Sequence, residues 1–262
     1  MSRHRLLRFV YWGVVLCLFL PLALVALASL GDGPVVGFPI ARPTLGWYAI
    51  ALADPEIVRA FLVSCAAAVA STALALAMGL WTSLAIASLA SPALRTLLLC
   101  GACLPLVTPG IISAISLRIY IRLLGIDPGL GAIVLGHAIH SAPYVVIVVG
   151  LRLRLVPPHL VEAARSLGAG QIRAFCSVTL PWLRPAIGAA AVLALLESFD
   201  DFLRSFFLGG YRPTLPVLIY GRLFSGLSPE IGAIATLVLA LTLSVGLSGE
   251  WLFWRTRTPQ GS

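Results

Sequence analysis

Four charged side chains near position 200 are the strongest candidates for chemistry on a solute in this sequence. They stand at i, i+3, i+4 and i+7, a spacing that places them on one face of a continuous helix: Glu197, Asp200, Asp201 and Arg204. Their neighbours are apolar, and a charge within a membrane is costly unless it faces a partner or a water-filled path. We therefore expect this face to border a path in which carboxylates replace the hydration of a cationic solute.

The same residues allow a structural alternative. On a helix, Arg204 can pair with Asp200 at i+4 and approach Asp201 at i+3. Such pairing still leaves the face negative, because three carboxylates meet one guanidinium. The pattern favours a path or a gate, and neutralisation within the packed helices stays the alternative.

The histidines and cysteines indicate no active site and no metal centre. His137 and His140 lie one helical turn apart, as metal or haem ligands can, but few other soft ligands accompany them. We expect them to pack between helices with a hydrogen bond to a neighbour. The five cysteines are odd in number and lie mostly in apolar segments, which is not typical of a disulfide framework. Cys100 and Cys103 have redox-motif spacing, but without a flanking strand–helix pattern we interpret them as packing residues.

The elements that position these residues lie in a membrane. Of the 262 residues, 60% are hydrophobic and 11% are charged, whereas a soluble domain has about 45–50% apolar and about 25% charged residues. All 18 basic residues are Arg. Because a phosphate-binding loop requires a lysine, the chain cannot hydrolyse ATP by that chemistry. The composition predicts an all-α polytopic membrane protein without catalytic residues.

Six apolar stretches are long enough to span a bilayer, which takes about 20 residues. Gly, Pro and charged clusters bound them at about 9–30, 60–89, 96–117, 131–151, 186–208 and 231–253. We predict one transmembrane domain over 1–262, with a long loop at 152–184. The first stretch exceeds the roughly 7–15 apolar residues of a signal peptide, so we expect it to stay as an uncleaved anchor.

The distribution of arginine predicts the orientation. With a cytoplasmic N-terminus, eleven Arg fall on the cytoplasmic side and seven fall on the outer side or at outer span ends. An even number of spans then puts both termini in the cytoplasm. The net charge of +8 comes from Arg residues that flank apolar spans, which indicates contact with anionic lipid headgroups rather than nucleic acid.

The loop 152–184 has the pattern of two short helices. Pro157 and Pro158 end the preceding span, and Gly168 suits the left-handed position that ends a helix. Between them, one apolar face recurs at helical spacing: Leu160, Ala163, Ala164 and Leu167. A second helix is predicted at about 171–179, with four inward side chains: Ile172, Phe175, Cys176 and Val178. The pair suits docking in a protein groove, and the alternative is an amphipathic loop on lipid headgroups.

A spaced string in this loop resembles the EAA loop of ATP-binding cassette (ABC) importer permeases. It consists of Glu162-Ala163-Ala164, then Gly168, then Val178-x-Leu180-Pro181, with Val178 in place of the usual Ile. Three further stretches resemble the second permease of spermidine/putrescine-type importers: Ile112–Ser116, Glu197–Phe202 and Leu215–Tyr220. On these motifs the chain is similar to that permease family over nearly its whole length.

The resemblance implies a type I ABC importer permease fold and a set of partners. Cytoplasmic ATPase subunits, which bind ATP and Mg, would dock on the motif residues Glu162, Ala163, Ala164, Gly168, Leu180 and Pro181. A second, different permease chain would complete the path, and an extracytoplasmic solute-binding protein would deliver the solute. This chain itself would bind no cofactor.

The resemblance also implies a bacterial inner membrane and a polyamine or other small charged solute. Arg204 stands where polyamine-type relatives usually carry a small or apolar residue, which leaves zwitterionic and anionic solutes open. Two other classes of protein are alternatives. An ion-coupled secondary transporter would use the carboxylates near 200 but has no use for a docking loop. An intramembrane enzyme would use a metal at His137 and His140 but lacks a nucleophile.

Overall fold

The structure, a computed structural model, describes residues 3–33, 40, 42–224, 226 and 228–256. Its helices are α1 (Arg3–Ala28), α2 (Gly46–Ala53), α3 (Pro55–Ser88), α4 (Pro92–Val107), α5 (Gly110–Leu123), α6 (Leu130–Leu153), α7 (Pro158–Ser166), α8 (Gln171–Ala174), α9 (Leu180–Asp200), α10 (Phe202–Leu208), α11 (Leu215–Leu223) and α12 (Pro229–Thr256). A π-helical turn over Phe175–Thr179 joins α8 to α9. The described residues contain one isolated β-bridge and no strand, which confirms the predicted all-α class.

Five of the described helices are each long and apolar enough to cross a membrane. They are Leu7–Ala28, Pro55–Ser88, Leu130–Leu153, Gln171–Asp200 and Pro229–Gly249. The pair formed by α4 and α5 adds a sixth when the two helices are counted as one span. The first, second, fourth and sixth predicted spans agree with α1, α3, α6 and α12 to within a few residues.

The third predicted span, 96–117, is wrong as a single straight helix. Instead, α4 and α5 meet at an angle of 103°. The cause is Pro109, since proline has no N–H to donate and the residue before it avoids helical backbone angles. Thr108 is accordingly extended, with φ −72° and ψ 128°.

The fifth predicted span, 186–208, has both boundaries wrong. The helical segment already begins at Gln171, because the second loop helix continues through the π-helical turn into α9. It ends at Asp200, because Asp201 leaves the helix with ψ 92° and caps α10. The charged residues near 200 therefore lie at a helix break rather than inside a helix.

Contacts divide the chain into two compact units, residues 1–59 with 218–244 and residues 60–217 with 245–262. A single domain over 1–262 stays a prediction. The larger unit contains the charged break and the loop 152–184. Its core is built from α3, α6 and α9: Ala75, Ala138, Val145, Val149, Leu183 and Ala190. A methyl group at Gly79 would overlap the Val145 side chain, so α3 and α6 approach as closely as small residues allow in membrane helix pairs.

In the smaller unit, hydrogen bonds join the end of α1 to α2. The hydroxyl oxygens of Ser29 and Tyr48 lie 2.6 Å apart, and Trp47 Nε1 donates to the Gly31 carbonyl at 2.7 Å. Gly232 of α12 packs beside Ser29, where an added Cβ would lie 3.2 Å from the Ser29 Cβ. Hydrogen bonds to α2 thus hold the C-terminal end of α1 in place within this unit.

Candidate translocation and coupling sites

The break between α9 and α10 separates the four charged residues into two pairs. Glu197 and Asp200, on the last turn of α9, are exposed. The side chains of Asp201 and Arg204 are only 8% and 6% exposed. The prediction that all four share one helical face is therefore wrong, because Asp201 leaves the helix between them.

Asp201 uses both carboxylate oxygens at the start of α10. Its Oδ1 accepts from the backbone N–H of Arg204 at 3.0 Å, and its Oδ2 accepts from Arg204 Nη1 at 2.7 Å. Aspartate is a preferred N-cap because it satisfies a helix N–H that otherwise lacks a partner. Of the two contacts that the structural alternative allowed for Arg204, the one with Asp201 is present and the one with Asp200 is absent, and the buried pair is neutral overall.

A further hydrogen bond ties this pair to α6. Arg204 Nη2 lies 2.8 Å from His140 Nδ1. A guanidinium only donates, so His140 accepts through Nδ1 and its ring is neutral in this arrangement. Arg204 thereby has partners on α10 and on α6, and none of its charge is left unmatched.

His137 lies in a buried chain of hydroxyl groups and is itself 1% exposed. Ser71 donates to Ser198 at 2.8 Å, and Ser198 Oγ lies 2.7 Å from His137 Nδ1. Ser205 Oγ lies 3.2 Å from the other ring nitrogen, Nε2. A neutral imidazole donates through one ring nitrogen and accepts through the other, so each nitrogen of His137 has a hydroxyl partner in either tautomer. Both histidines pack with hydrogen bonds to neighbours, as predicted.

Within the described residues, no three His, Cys, Asp or Glu side chains are grouped to hold a metal ion. His137 bonds to two serines and lies 3.9 Å from Asp201 Oδ2 through Nε2, and His140 accepts from a guanidinium. All five cysteines are free thiols. The histidines that could have held a metal instead form contacts between packed helices.

The first half of the loop presents its motif residues at the surface. No residue of α7 is buried, Glu162 is exposed, and Leu167 is 89% exposed. Gly168 has φ +87°, the predicted left-handed conformation. The Ala169 N–H donates to the Ala164 carbonyl at 3.1 Å, a bond typical of a helix that ends at glycine. The predicted apolar face is present, and the described part of the chain leaves it largely uncovered.

The second half of the loop differs from its prediction. Ile172 is 80% exposed and Cys176 is also exposed, whereas Ala174 and Thr179 are buried. Phe175 and Val178 are half-buried, as predicted, so the predicted inward face is wrong at Ile172 and Cys176. The π-helical turn begins at Phe175, so it shifts the phase only from that residue onward. Ile172 precedes the turn, and nothing in the structure explains its exposure.

Pro181 explains the π-helical turn. A proline within a helix removes one donor and crowds the carbonyl four residues earlier. The wider turn over Phe175–Thr179 accommodates Pro181 without ending the helix, as π-bulges do in other helices. Leu180 and Pro181 are half-buried at the start of α9, so they anchor the loop rather than form its exposed surface.

An arginine–tryptophan contact that the sequence did not single out joins the two ends of the loop. Arg152 Nε donates to the Trp182 carbonyl at 3.2 Å. The guanidinium carbon lies 5.2 Å from the centre of the Trp182 ring, within the range of a cation–π interaction. Recognising this pair requires knowing that α6 and α9 are neighbours.

In the smaller unit, Arg222 binds three carboxylates. Its guanidinium lies 2.6 Å from Asp54, 2.9 Å from Glu56 and 2.7 Å from Glu230. The hydrogen bond from Arg222 holds the pKa of Asp54 below its ordinary value, and the backbone N–H of Glu56 adds to this effect. No local pattern predicts this cluster, because 168 positions separate Arg222 from Asp54.

Residues 71–255 match the protein family described as "Binding-protein-dependent transport system inner membrane component". The chain is 31% identical to the spermidine/putrescine transport system permease protein PotC of Escherichia coli (strain K12) over 211 residues, which cover 79% of this chain and 78% of PotC. It is 36% identical to the putrescine transport system permease protein PotI of the same organism over 158 residues, which cover 58% of this chain and 56% of PotI.

Solved structures of ABC transporters share the fold. A bacterial ABC transporter involved in the import of the acidic polysaccharide alginate matches with a TM-score of 0.72 at 17% identity, over 97% of this chain and 95% of that chain. An inward-facing MetNI methionine ABC transporter matches with a TM-score of 0.65 at 19% identity, over 77% of this chain and 96% of that chain. The predicted ABC importer permease fold is thereby confirmed.

The family match contains both the charged break and the loop with the EAA-like string. It decides against the ion-coupled secondary transporter and the intramembrane enzyme, the two alternatives that the sequence had left open. The chain belongs to the inner membrane components of binding-protein-dependent transport systems and is a non-catalytic permease subunit of an ABC importer in a bacterial inner membrane.

Proposed function

We propose that Glu197 and Asp200 line a translocation path for a cationic solute of the polyamine class. Both carboxylates are exposed, and neither has an ion-pair or hydrogen-bond partner in the described part of the chain. Asp201 meanwhile neutralises Arg204. The observation that carries the proposal is this division, which leaves two unpaired carboxylates and no free cation at the break.

The pairing of Arg204 with Asp201 also removes the reason to include anionic solutes. Arg204 had left them open, but its guanidinium is occupied by Asp201 and His140. A buried arginine whose charge is already neutralised by a carboxylate is a poor site for a passing anion. The names of PotC and PotI, which refer to spermidine and putrescine, support the cationic class.

The loop over 158–172 docks a cytoplasmic ATPase that binds ATP and Mg. Leu167 and Ile172 are the support for this role, because both aliphatic side chains are more than three-quarters exposed, Leu167 between two helices and Ile172 at the first turn of the next helical segment. Such residues suit an apolar groove on a partner protein. The loop and both termini are then cytoplasmic. A second, different permease chain completes the path, and a solute-binding protein delivers the solute from outside.

Uptake into proteoliposomes tests the path. The chain is reconstituted with the subunits that purify with it, and labelled putrescine is presented with the binding protein. Glu197→Gln and Asp200→Asn are expected to raise KM several-fold each, and the double variant more than ten-fold, without loss of assembly. Asp127→Asn, at an exposed carboxylate between α5 and α6, is the matched control. An unchanged KM in the double variant would remove both residues from the path.

Photo-crosslinking tests the docking surface. A photoreactive amino acid replaces Leu167 in one variant and Trp81 in another, since Trp81 is a 74% exposed residue of α3. Position 167 is expected to crosslink to the ATPase, and position 81 to lipid. Lipid adducts alone at position 167 would support the amphipathic-loop alternative.

A further inference from the structure

A cavity of about 430 Å³ lies in the larger unit where α3 and α6 end and α4 begins. Its walls are mostly aliphatic: Ile86, Leu99, Val146, Ile147, Leu151 and Val156. The volume is within the range of about 300–1,000 Å³ that ligand pockets occupy. None of the four charged residues at the helix break lines it.

Two arginines are the charged residues among the described lining. Arg95 Nε donates to the Leu89 carbonyl at 2.6 Å, and its Nη2 donates to the Ala87 carbonyl at 3.2 Å. These bonds hold the guanidinium against the C-terminal end of α3, with Nη1 still available. The Arg154 side chain forms no hydrogen bond or ion pair with any described residue. The cavity therefore combines apolar walls with two positive charges that no carboxylate compensates.

The positions of these arginines place them at the level of lipid headgroups. Arg95 lies near the start of α4, and Arg154 directly follows α6. Both α3 and α6 are long enough to span the membrane, so their ends mark the boundary between acyl chains and water. Basic pockets between spans at this level bind phosphate headgroups in other membrane proteins. This placement holds whichever face of the membrane is cytoplasmic.

We propose that the cavity binds an anionic glycerophospholipid, with its phosphate between Arg95 and Arg154 and part of an acyl chain against the aliphatic walls. A guanidinium binds a phosphate through charge-assisted hydrogen bonds. A zwitterionic lipid carries a cation beside its phosphate, which the two arginines repel. Pro158, the first residue of α7, belongs to the wall, so the bound lipid contacts the base of the loop that carries the EAA-like string.

Gly150 offers a way to close the cavity without changing its charge. It lines the cavity, and an added Cβ there would meet only Ser83 Oγ, at 3.9 Å. A larger side chain therefore has room to enter the space that the acyl chain occupies. Gly150→Phe removes the apolar volume, whereas Arg95→Gln with Arg154→Gln removes the charge.

Native mass spectrometry tests the proposal on the full chain with the subunits that purify with it. The probes are phosphatidylglycerol and phosphatidylcholine with identical acyl chains. We expect phosphatidylglycerol to bind the wild type about thirty-fold more tightly than the double Gln variant, since each headgroup-level arginine contributes about 1 kcal/mol. Gly150→Phe is expected to lose the lipid as well. Arg184→Gln, at an exposed arginine outside the cavity, is the matched control and is expected to keep it.

Three outcomes would overturn the proposal. Equal binding of the two lipids by the wild type would show that the arginines do not select charge. Displacement of the lipid by inorganic phosphate at the same concentration would indicate a site for a soluble anion. Loss of another protein subunit from the Gly150→Phe complex, with the lipid retained, would show that a protein segment fills the cavity. The charge and volume variants act on different features, so a folding defect in one leaves the other to decide.

Discussion

The helical segment Gln171–Asp200, which contains α9, is bounded by two breaks of opposite kinds. At the C-terminal end, Asp201 caps α10 and pairs with Arg204, so the polar groups of the break are satisfied within the chain. At the N-terminal end, the loop leaves Leu167 and Ile172 exposed. The first break is complete in the single chain, whereas the second presents apolar surface that only another molecule can cover. A helix break therefore identifies a partner surface only when the chain itself leaves the break unsatisfied.

The largest expected effect is at the buried pair. Arg204→Met leaves the Asp201 carboxylate buried without its cation, and removing one partner of a buried ion pair costs about 3–5 kcal/mol. We expect the thermal unfolding temperature of the detergent-purified chain to fall sharply, with poor insertion as a second sign.

The double variant Arg204→Met with Asp201→Asn is the control for this prediction. Asparagine still caps α10, and no unpaired charge is left, so most of the lost stability is expected to return. If Arg204→Met alone lowers stability by less than about 1 kcal/mol, water reaches the Asp201 carboxylate. The break at Asp201 would then be open to its surroundings, as the loop at the other end is.

At the other end of α9, Gly168→Ala is expected to impair coupling rather than folding. Gly168 has φ +87°, and a residue with a Cβ in the left-handed region costs about 1–2 kcal/mol. An added Cβ would meet no neighbouring atom, so the whole effect is in the backbone. The end of α7 is expected to shift, which lowers solute-stimulated ATPase activity while insertion stays normal.

Gly170 provides the matched control, two positions away. It has φ −64° and ψ 168°, angles that alanine adopts without strain, and an added Cβ there is equally free of contacts. Gly170→Ala is therefore expected to keep its ATPase stimulation. Equal loss in both variants would show that the loop requires glycine for close approach of a partner, not for its conformation.

How well the sequence predicted each end depends on how local the determining forces are. The α7 helix and the left-handed Gly168 follow from prolines and a glycine within a dozen residues, so the motif spacing was sufficient. At the charged break, helical periodicity placed four residues on one face, but the competing N-cap preference of Asp201 prevailed. The position of Asp201 directly before the apolar residues Phe202 and Leu203 was the signal that could have indicated this cap.

The rest of the site depends on pairs that are distant in the sequence. Ser71 and Ser198 are 127 positions apart, and His137 and Ser198 are 61 apart. Periodicity predicted that the histidines pack with hydrogen bonds, but it could not select the partners. That selection depends on the close packing of α3, α6 and α9, which small residues such as Gly79 allow and which no local pattern specifies.

A smaller effect is expected from the hydroxyl chain near the C-terminal end of α9. Ser198→Ala removes the hydrogen-bond partner of His137 Nδ1, whereas Ser71 keeps its bond to the Ala68 carbonyl at 3.2 Å. A buried polar group left without a partner costs about 1–3 kcal/mol. Ser177→Ala is the control near the other end of the helical segment, since that exposed hydroxyl bonds only to the Arg173 carbonyl at 2.7 Å. The thermal unfolding temperature is expected to fall in the first variant and stay unchanged in the second. A similar change in both would indicate that the chain through His137 adds nothing beyond helix propensity.

The smallest effect is expected at the partly exposed cluster around Arg222. Comparing this cluster with the buried Asp201–Arg204 pair shows how much burial adds to the strength of an ion pair. Exposed ion pairs contribute about 0.2–1 kcal/mol, so Asp54→Asn is expected to lower stability only slightly near neutral pH. Because the Asp54 pKa is lowered in the folded chain, its contribution is present above the ordinary carboxyl pKa of about 3.9. It is lost as the pH falls through the lowered value.

Thermal unfolding of the wild type and Asp54→Asn at several pH values checks this sign. The two curves are expected to differ near pH 6 and to converge in acid, where a protonated Asp54 resembles asparagine. Added salt is expected to reduce the difference near neutral pH, because the cluster is partly exposed. Asparagine keeps an oxygen that can accept the Glu56 N–H, which bonds to Asp54 Oδ1 at 2.7 Å. A difference that is constant across pH would therefore show that the charge of Asp54 is not its cause, and burial would no longer be the feature that separates this cluster from the Asp201–Arg204 pair.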